Sequence, residues 1–221
     1  MLARCLSASL HGLEAKPVTV EVDLAPGLPG IQLVGLADKA IQESRERVRS
    51  ALRNSGFRGP LVRVVINLAP ADRRKEGPAF DLPISLGLLV ASGQLDRPKL
   101  DGLWCAGELG LDGSLRPCRG VIALADLARQ QGARALIVPP ANAPEAALIP
   151  NLTIWTASNL KELVQQLKGE CPIVRIEHNP SPQTHSAWLN PSRVKAAHRR
   201  MRTRNPRGCS NRFLTTADLH R

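Results

Sequence analysis

The stretch FDLPISLGLLVASG, residues 80–93, constrains everything around it, because after Asp81 its only polar side chains are Ser85 and Ser92. A helix that is apolar on all sides has to be covered on all sides, so the chain must supply a sheet or further helices to enclose it. Pro83 fits only within the first turn, Gly93 lies just past the end, and Asp81 stands where a side chain can cap free N–H groups. Directly upstream, LVRVVINLA (61–69) is rich in β-branched residues and is expected to be a strand. The intervening PADRRKEGPA (70–79) turns abruptly charged, which makes it the connector from strand to buried helix.

Other elements follow from period and punctuation. Residues 17–35 give an alternating strand through Val18, Val20 and Val22, a Pro/Gly turn and a second strand from Ile31 to Val34, which together read as a hairpin with a wide loop. Residues 37–54 place Ile41, Val48, Ala51 and Leu52 on one helical face, with Asp38 as N-cap and Gly56 beyond the end. On the opposite face Arg45, Arg49 and Arg53 recur every four residues, with Glu43 and Glu46 interleaved. Asp112-Gly113 reads as a two-residue hairpin turn. A helix with Val121, Leu124, Ala125 and Ala128 inward comes next, then the strand ALIVPP, a turn and brief helix over ANAPEAALIP, the strand LTIWTA, and a helix with Leu160, Leu163, Val164 and Leu167 on one side.

After about Gly169 neither period is sustained, prolines multiply, and an arginine cluster runs from Arg199 to Arg207. Residues 1–170 hold 20 Lys/Arg against 17 Asp/Glu, while residues 171–221 hold 10 against 2, so most of the net charge of +11 lies in the second part. A folded domain over 1–170 and a poorly ordered basic tail over 171–221 are therefore expected. No apolar run approaches the roughly 20 residues that span a bilayer, and the first residues lack an export signal, so a cytoplasmic protein with no membrane partner is expected. Cys5, Cys105, Cys118, Cys171 and Cys209 are odd in number and form no C-x-x-C pair, which predicts reduced, mostly buried thiols. The five histidines show no ligand spacing, and no metal is assigned to them.

Four motifs in order, VGLADKAIQESRERVRSALRNSGF, INLAPADRRKEGPAFDLPISLGLLVASG, GELGLDGSLRPCRG and VPPANAPEAAL, resemble the N-terminal domain of the magnesium-chelatase-like AAA+ proteins of the YifB/ComM family, over roughly residues 1–170. The resemblance implies an α+β, ribosomal-protein-S5-domain-2-like fold of two layers, similar to the proteolytic domain of Lon. In that family an AAA+ ATPase module follows, ATP and magnesium belong to it, and the ComM branch migrates DNA branches during natural transformation.

Two departures from the pattern bear on chemistry. Matching KEGPAFDL to the Lon-type motif puts Ala79 at the nucleophile position, and matching GELGLDGSLRPCRGVIALADLA to the corresponding hairpin and helix puts Ile122 at the position of the general-base lysine. Neither side chain can give or take a proton, so no catalytic residue is assigned. Ser85 reads as a packing residue bonded to its own helix, and Lys75 as a loop residue whose amine stays protonated. No Gly-Lys dipeptide occurs, so a phosphate-cradling P-loop is absent from the sequence and no cofactor is expected. Where relatives continue into the motor, this chain reads NPSRVKAAHRRMRTRNPRGCSNRFL, a texture that predicts a truncated gene whose last codons lie in a shifted frame.

Asp72, Glu76 and Asp81 could suggest a magnesium site, but the interleaved Arg73, Arg74 and Lys75 favour local salt bridges and capping. Arg45, Arg49, Arg53, Arg73, Arg74 and Lys75 are the candidates for weak nucleic-acid contact, although only 3% of residues are aromatic and base-stacking platforms are scarce. The leading expectation is a noncatalytic accessory domain whose partner in intact relatives is the AAA+ module, with oligomerisation left open. The alternatives are a cryptic peptidase using Ser85 with Lys75 or Lys39, and a DNA-binding accessory module.

Overall fold

The computed structural model describes residues 2–176; the arginine cluster and the tail sequence beyond Ile176 lie outside the described residues. β1 (Ala3–His11) and β2 (Glu14–Ala25) form an antiparallel hairpin whose ladder closes at His11 and Glu14, with Gly12 at φ 65° in the turn. No strand is expected over β1 from sequence, because its inward residues are Ala3, Cys5, Ser7 and Ser9. They alternate correctly but are too small and polar to register as a hydrophobic period.

β3 (Gly30–Val34) corrects the expected hairpin of residues 17–35. It does not pair with β2. β4 (Arg63–Ala69) lies between them, antiparallel to β2 with Val22 opposite Ile66, and parallel to β3 with Ile31 opposite Val64. The cause is α1 (Lys39–Asn54), which carries the chain from β3 to β4 and so allows the parallel pairing that a short turn could not. Asp38 caps this helix, accepting from Ile41 N at 2.8 Å, and Ile41, Val48, Ala51 and Leu52 are buried as the period predicts.

Next comes the enclosed helix, α2 (Asp81–Ala91), with all eleven residues buried. Each of its large aliphatic side chains contributes roughly 1.5–3 kcal/mol on burial. Gly87 lets it approach the sheet: a Cβ there would lie 2.6 Å from Val22 Cγ2. β5 (Leu103–Cys105) adds in parallel beside β1, and β6 (Glu108–Leu109) pairs with β7 (Leu115–Arg116) in a separate two-stranded ribbon. The ribbon's connection is longer than the expected two residues: Leu109 pairs with Leu115, and Asp112 turns the loop by accepting from Ser114 N and Oγ.

α3 (Val121–Gln130), β8 (Ala135–Val138), α4 (Ala143–Ala146), β9 (Ile154–Thr156) and α5 (Leu160–Lys168) follow as the sequence suggests. β10 (Val174–Ile176) pairs with β9 inside the segment expected to be tail, so the sheet continues past residue 170. The result is an α+β arrangement on a mixed eight-stranded sheet of order β10-β9-β8-β5-β1-β2-β4-β3.

Side-chain alternation separates two cores. Ala135 and Ile137 of β8 join Cys5, Val20 and Val22 in the core under α1, α2 and α5, whereas Leu136 and Val138 join Trp104 and Ile154 under α3 and α4. Helices thus cover both faces of the β5–β8–β9 part of the sheet, and the expected two layers become three there.

Candidate functional site

The stretch matched to the Lon-type nucleophile motif, residues 75–82, runs into the start of α2. A 3-10 turn, Pro78–Phe80, leads straight into α2, and Ala79 within it is partly buried against the second core. Its carbonyl accepts from Gly107 N at 3.0 Å, and Leu82 N donates to Gly107 O at 3.1 Å, so the head of α2 is tied to the strand end after β5. Cys118 packs against the same core from the segment before α3.

Asn142 fixes that segment. Its Oδ1 accepts from Cys118 N at 3.0 Å and its Nδ2 donates to Cys118 O at 2.9 Å. Glu145 of α4 reaches the first turn of α3, where its Oε1 accepts from Ile122 N at 3.1 Å. One free N–H at this helix end is therefore satisfied by a carboxylate of the protein itself. The Ile122 side chain is 43% exposed. Burial, and next the nearby Glu145 charge, push the Cys118 thiol up to about 12, so it stays protonated and is no nucleophile at neutral pH.

Lys75 requires a correction. The sequence reads it as a solvated loop lysine and a candidate nucleic-acid contact, yet it is 0% exposed. Its Nζ donates to Gly35 O at 3.1 Å and to Pro70 O, and its backbone bonds to Leu36 O and Asp38 N, so it fastens the charged connector to the entry of α1. Burial lowers its pKa from the ordinary 10.5. The other five candidates, Arg45, Arg49, Arg53, Arg73 and Arg74, are exposed. Arg73 and Arg74 lie near Asp72 and Glu76 at 3.7 and 3.3 Å, Arg49 near Glu46 at 3.6 Å, and Arg45 Nε donates to Gln42 O at 3.0 Å.

Asp81 likewise differs from its expected capping role. It accepts from Arg47 Nε at 2.7 Å and Arg47 Nη2 at 3.0 Å, from Ser44 Oγ, and from Leu109 N at 3.2 Å, all within a site where its side chain is 0% exposed. This joins α1, α2 and β6. The hydrogen bond to Asp81 raises the Arg47 pKa and keeps the guanidinium charged. Asp81 therefore shares no site with Asp72 and Glu76, and among the described residues no three His, Cys, Asp or Glu side chains converge as a metal site.

The residues of the alternative peptidase do not meet. Ser85 Oγ is buried and donates to Asp81 O at 2.8 Å, within its own helix. The Lys75 amine is held by the two carbonyls, and the Lys39 side chain is 92% exposed beside Glu43. Asn142 and Glu145 fall in the turn and brief helix expected over ANAPEAALIP, but the sequence assigns them no role. Their three-residue spacing in NAPE was the one available signal, since it resembles the spacing of helix-capping pairs.

A family model for subunit ChlI of magnesium chelatase matches residues 20–142, more than half of the chain. The chain belongs to the ChlI family. Competence protein ComM of Haemophilus influenzae is 46% identical over 169 residues, covering 76% of this ChlI-family chain and 33% of the relative. YifB of Escherichia coli is 44% identical over 164 residues, covering 74% and 32%. A Lon protease of Roseiflexus castenholzii is 26% identical over 167 residues, covering 72% and 19%. The chain thus spans about a third of the length of its ComM and YifB relatives. Among the described residues no helix is long and apolar enough to cross a membrane.

Proposed function

We propose that the folded body is a noncatalytic, Lon-like domain of a YifB/ComM-type protein, of the S5-domain-2-like class, which serves interaction and positioning. The observation that carries this reading is the state of the two matched positions. Ala79 offers a methyl group in a 3-10 turn, and Ile122 offers a half-exposed alkyl group beside a helix end already bonded to Glu145. A serine nucleophile needs a base to take its proton, and a lysine base needs burial to lose its own. Neither requirement is met by these residues, and Ser85, Lys75 and Lys39 are each engaged elsewhere.

In the intact relatives, ATP-dependent DNA branch migration would reside in the AAA+ module, with this domain as its cytoplasmic accessory. The frame-shifted reading of the tail is part of the same proposal and rests on sequence texture alone; downstream DNA encoding the helix and P-loop in another frame supports it, and DNA without them overturns it.

Purified full chain is expected to give no turnover with casein or ATP and no labelling by a fluorophosphonate serine probe. Turnover or labelling that disappears in Ser85→Ala overturns the noncatalytic reading. For the DNA-binding alternative, single-stranded DNA affinity at physiological salt is expected to fall away when residues 177–221 are removed, which leaves β10 in place; affinity retained by residues 1–176 favours the alternative.

A further inference from the structure

A cleft of about 670 Å³ opens between the C-terminal half of α1, the segment linking it to β4, and the start of β3. Its volume falls within the roughly 300–1,000 Å³ of ligand pockets. Leu52, Val64 and Leu88 line it from the core, and Leu61, 85% exposed, stands on its wall. Arg49, Arg53 and Arg58 also line it. Arg49 pairs with Glu46 at 3.6 Å, and among the described residues no salt bridge engages Arg53 or Arg58. Beside the cleft, β3 ends the sheet, paired with β4 on one edge and with no described strand on the other.

We propose that this cleft and the free edge of β3 bind an extended acidic peptide segment carrying apolar side chains, supplied by a partner protein. The apolar lining calls for apolar side chains, which a phosphate backbone does not offer. The unbalanced guanidiniums call for carboxylates. The open edge of β3 supplies backbone donors and acceptors to an added strand. The chain's own tail is the wrong ligand, since residues 171–221 hold ten Lys/Arg against two Asp/Glu and would meet the arginines with like charge. The inference is independent of whether the domain is inert in catalysis.

The test uses the full chain and a fluorescein-labelled peptide of alternating Glu/Asp and Leu/Phe, followed by fluorescence anisotropy. Controls are the same peptide with Lys for each acid, the same peptide with Ser for each Leu/Phe, and a labelled single-stranded DNA 20-mer. Saturable binding is expected for the first peptide alone, weakened about tenfold or more by Arg53→Glu with Arg58→Glu and by Leu61→Asp. These three side chains are exposed, so the variants should keep the wild-type circular dichroism spectrum. The proposal fails if the Lys or Ser peptide binds equally well, if the variants leave affinity unchanged, or if the DNA binds and it, rather than the peptide, loses affinity in the arginine variant.

Discussion

Replacing Asp81 with asparagine should destabilise the domain more than any surface change, because it removes the charge on which three elements converge. The carboxylate is fully buried and accepts from Arg47, Ser44 and Leu109 N. An amide of the same shape keeps one oxygen but turns a donor toward groups that are themselves donors. Removing one partner of a buried ion pair costs about 3–5 kcal/mol. Arg47 is 21% exposed and can recover some hydration, which places the loss toward the lower end of that range. For a domain of this size, 3–5 kcal/mol corresponds to roughly 6–20 °C in Tm. Urea unfolding followed by the fluorescence of buried Trp104 and Trp155 measures it. In a cycle with Arg47→Met, the double variant should be less damaged than the sum of the singles by more than about 1 kcal/mol. A single-variant loss below about 1 kcal/mol, or strict additivity, would refute the view that this pair locks α1, α2 and β6 together.

Gly87→Ala should also destabilise, by about 1–2 kcal/mol, because overpacking against Val22 outweighs the roughly 1 kcal/mol that alanine gains in a helix; in a Val22→Ala background the same change should become neutral or stabilising. The Lys75 amine titrates lower in the folded chain than in the unfolded one, so the unfolded state binds more protons between those values and stability rises with pH there. Wild type should accordingly gain stability relative to Lys75→Met as pH approaches about 10.4, and an opposite slope in denaturant titrations would contradict the assignment. Burial pushes the Cys5 and Cys118 thiols up to about 12 and raises that of Cys105. All three should react with Ellman's reagent at pH 8 at least about 100 times more slowly in native protein than in urea, and rapid native labelling of any of them would argue against its placement.

The helices were legible because their signals are local. α1 shows its period and its Asp38 cap within about 17 residues, and α2 shows its length, its early proline and its trailing Gly93 in one run. What was hidden depends on residues far apart in sequence. Lys75 sits among Arg73, Arg74 and Glu76, a setting that reads as solvent, yet the carbonyls that hold it belong to Gly35 and Pro70. The partner that draws Asp81 away from capping, Arg47, lies on another helix. β1 escaped because its buried positions are small, and the pairing of β3 escaped because its partner is β4, which lies beyond α1, rather than β2, which directly precedes it in sequence. At the candidate site the two matched residues were readable from the motif, whereas the Cys118, Asn142 and Glu145 contacts required the third dimension.

The contact between Glu145 and the start of α3 has a consequence for anyone trying to engineer hydrolysis into this scaffold. Writing serine at 79 and lysine at 122 would supply the reactive atoms but not their surroundings. An ammonium introduced at the half-exposed position 122 would stand in water beside an acidic side chain and retain its proton. A functional graft would first have to remove the glutamate and roof the position over, so a route to serine–lysine hydrolysis at these two positions runs through α4 as much as through residues 79 and 122 themselves.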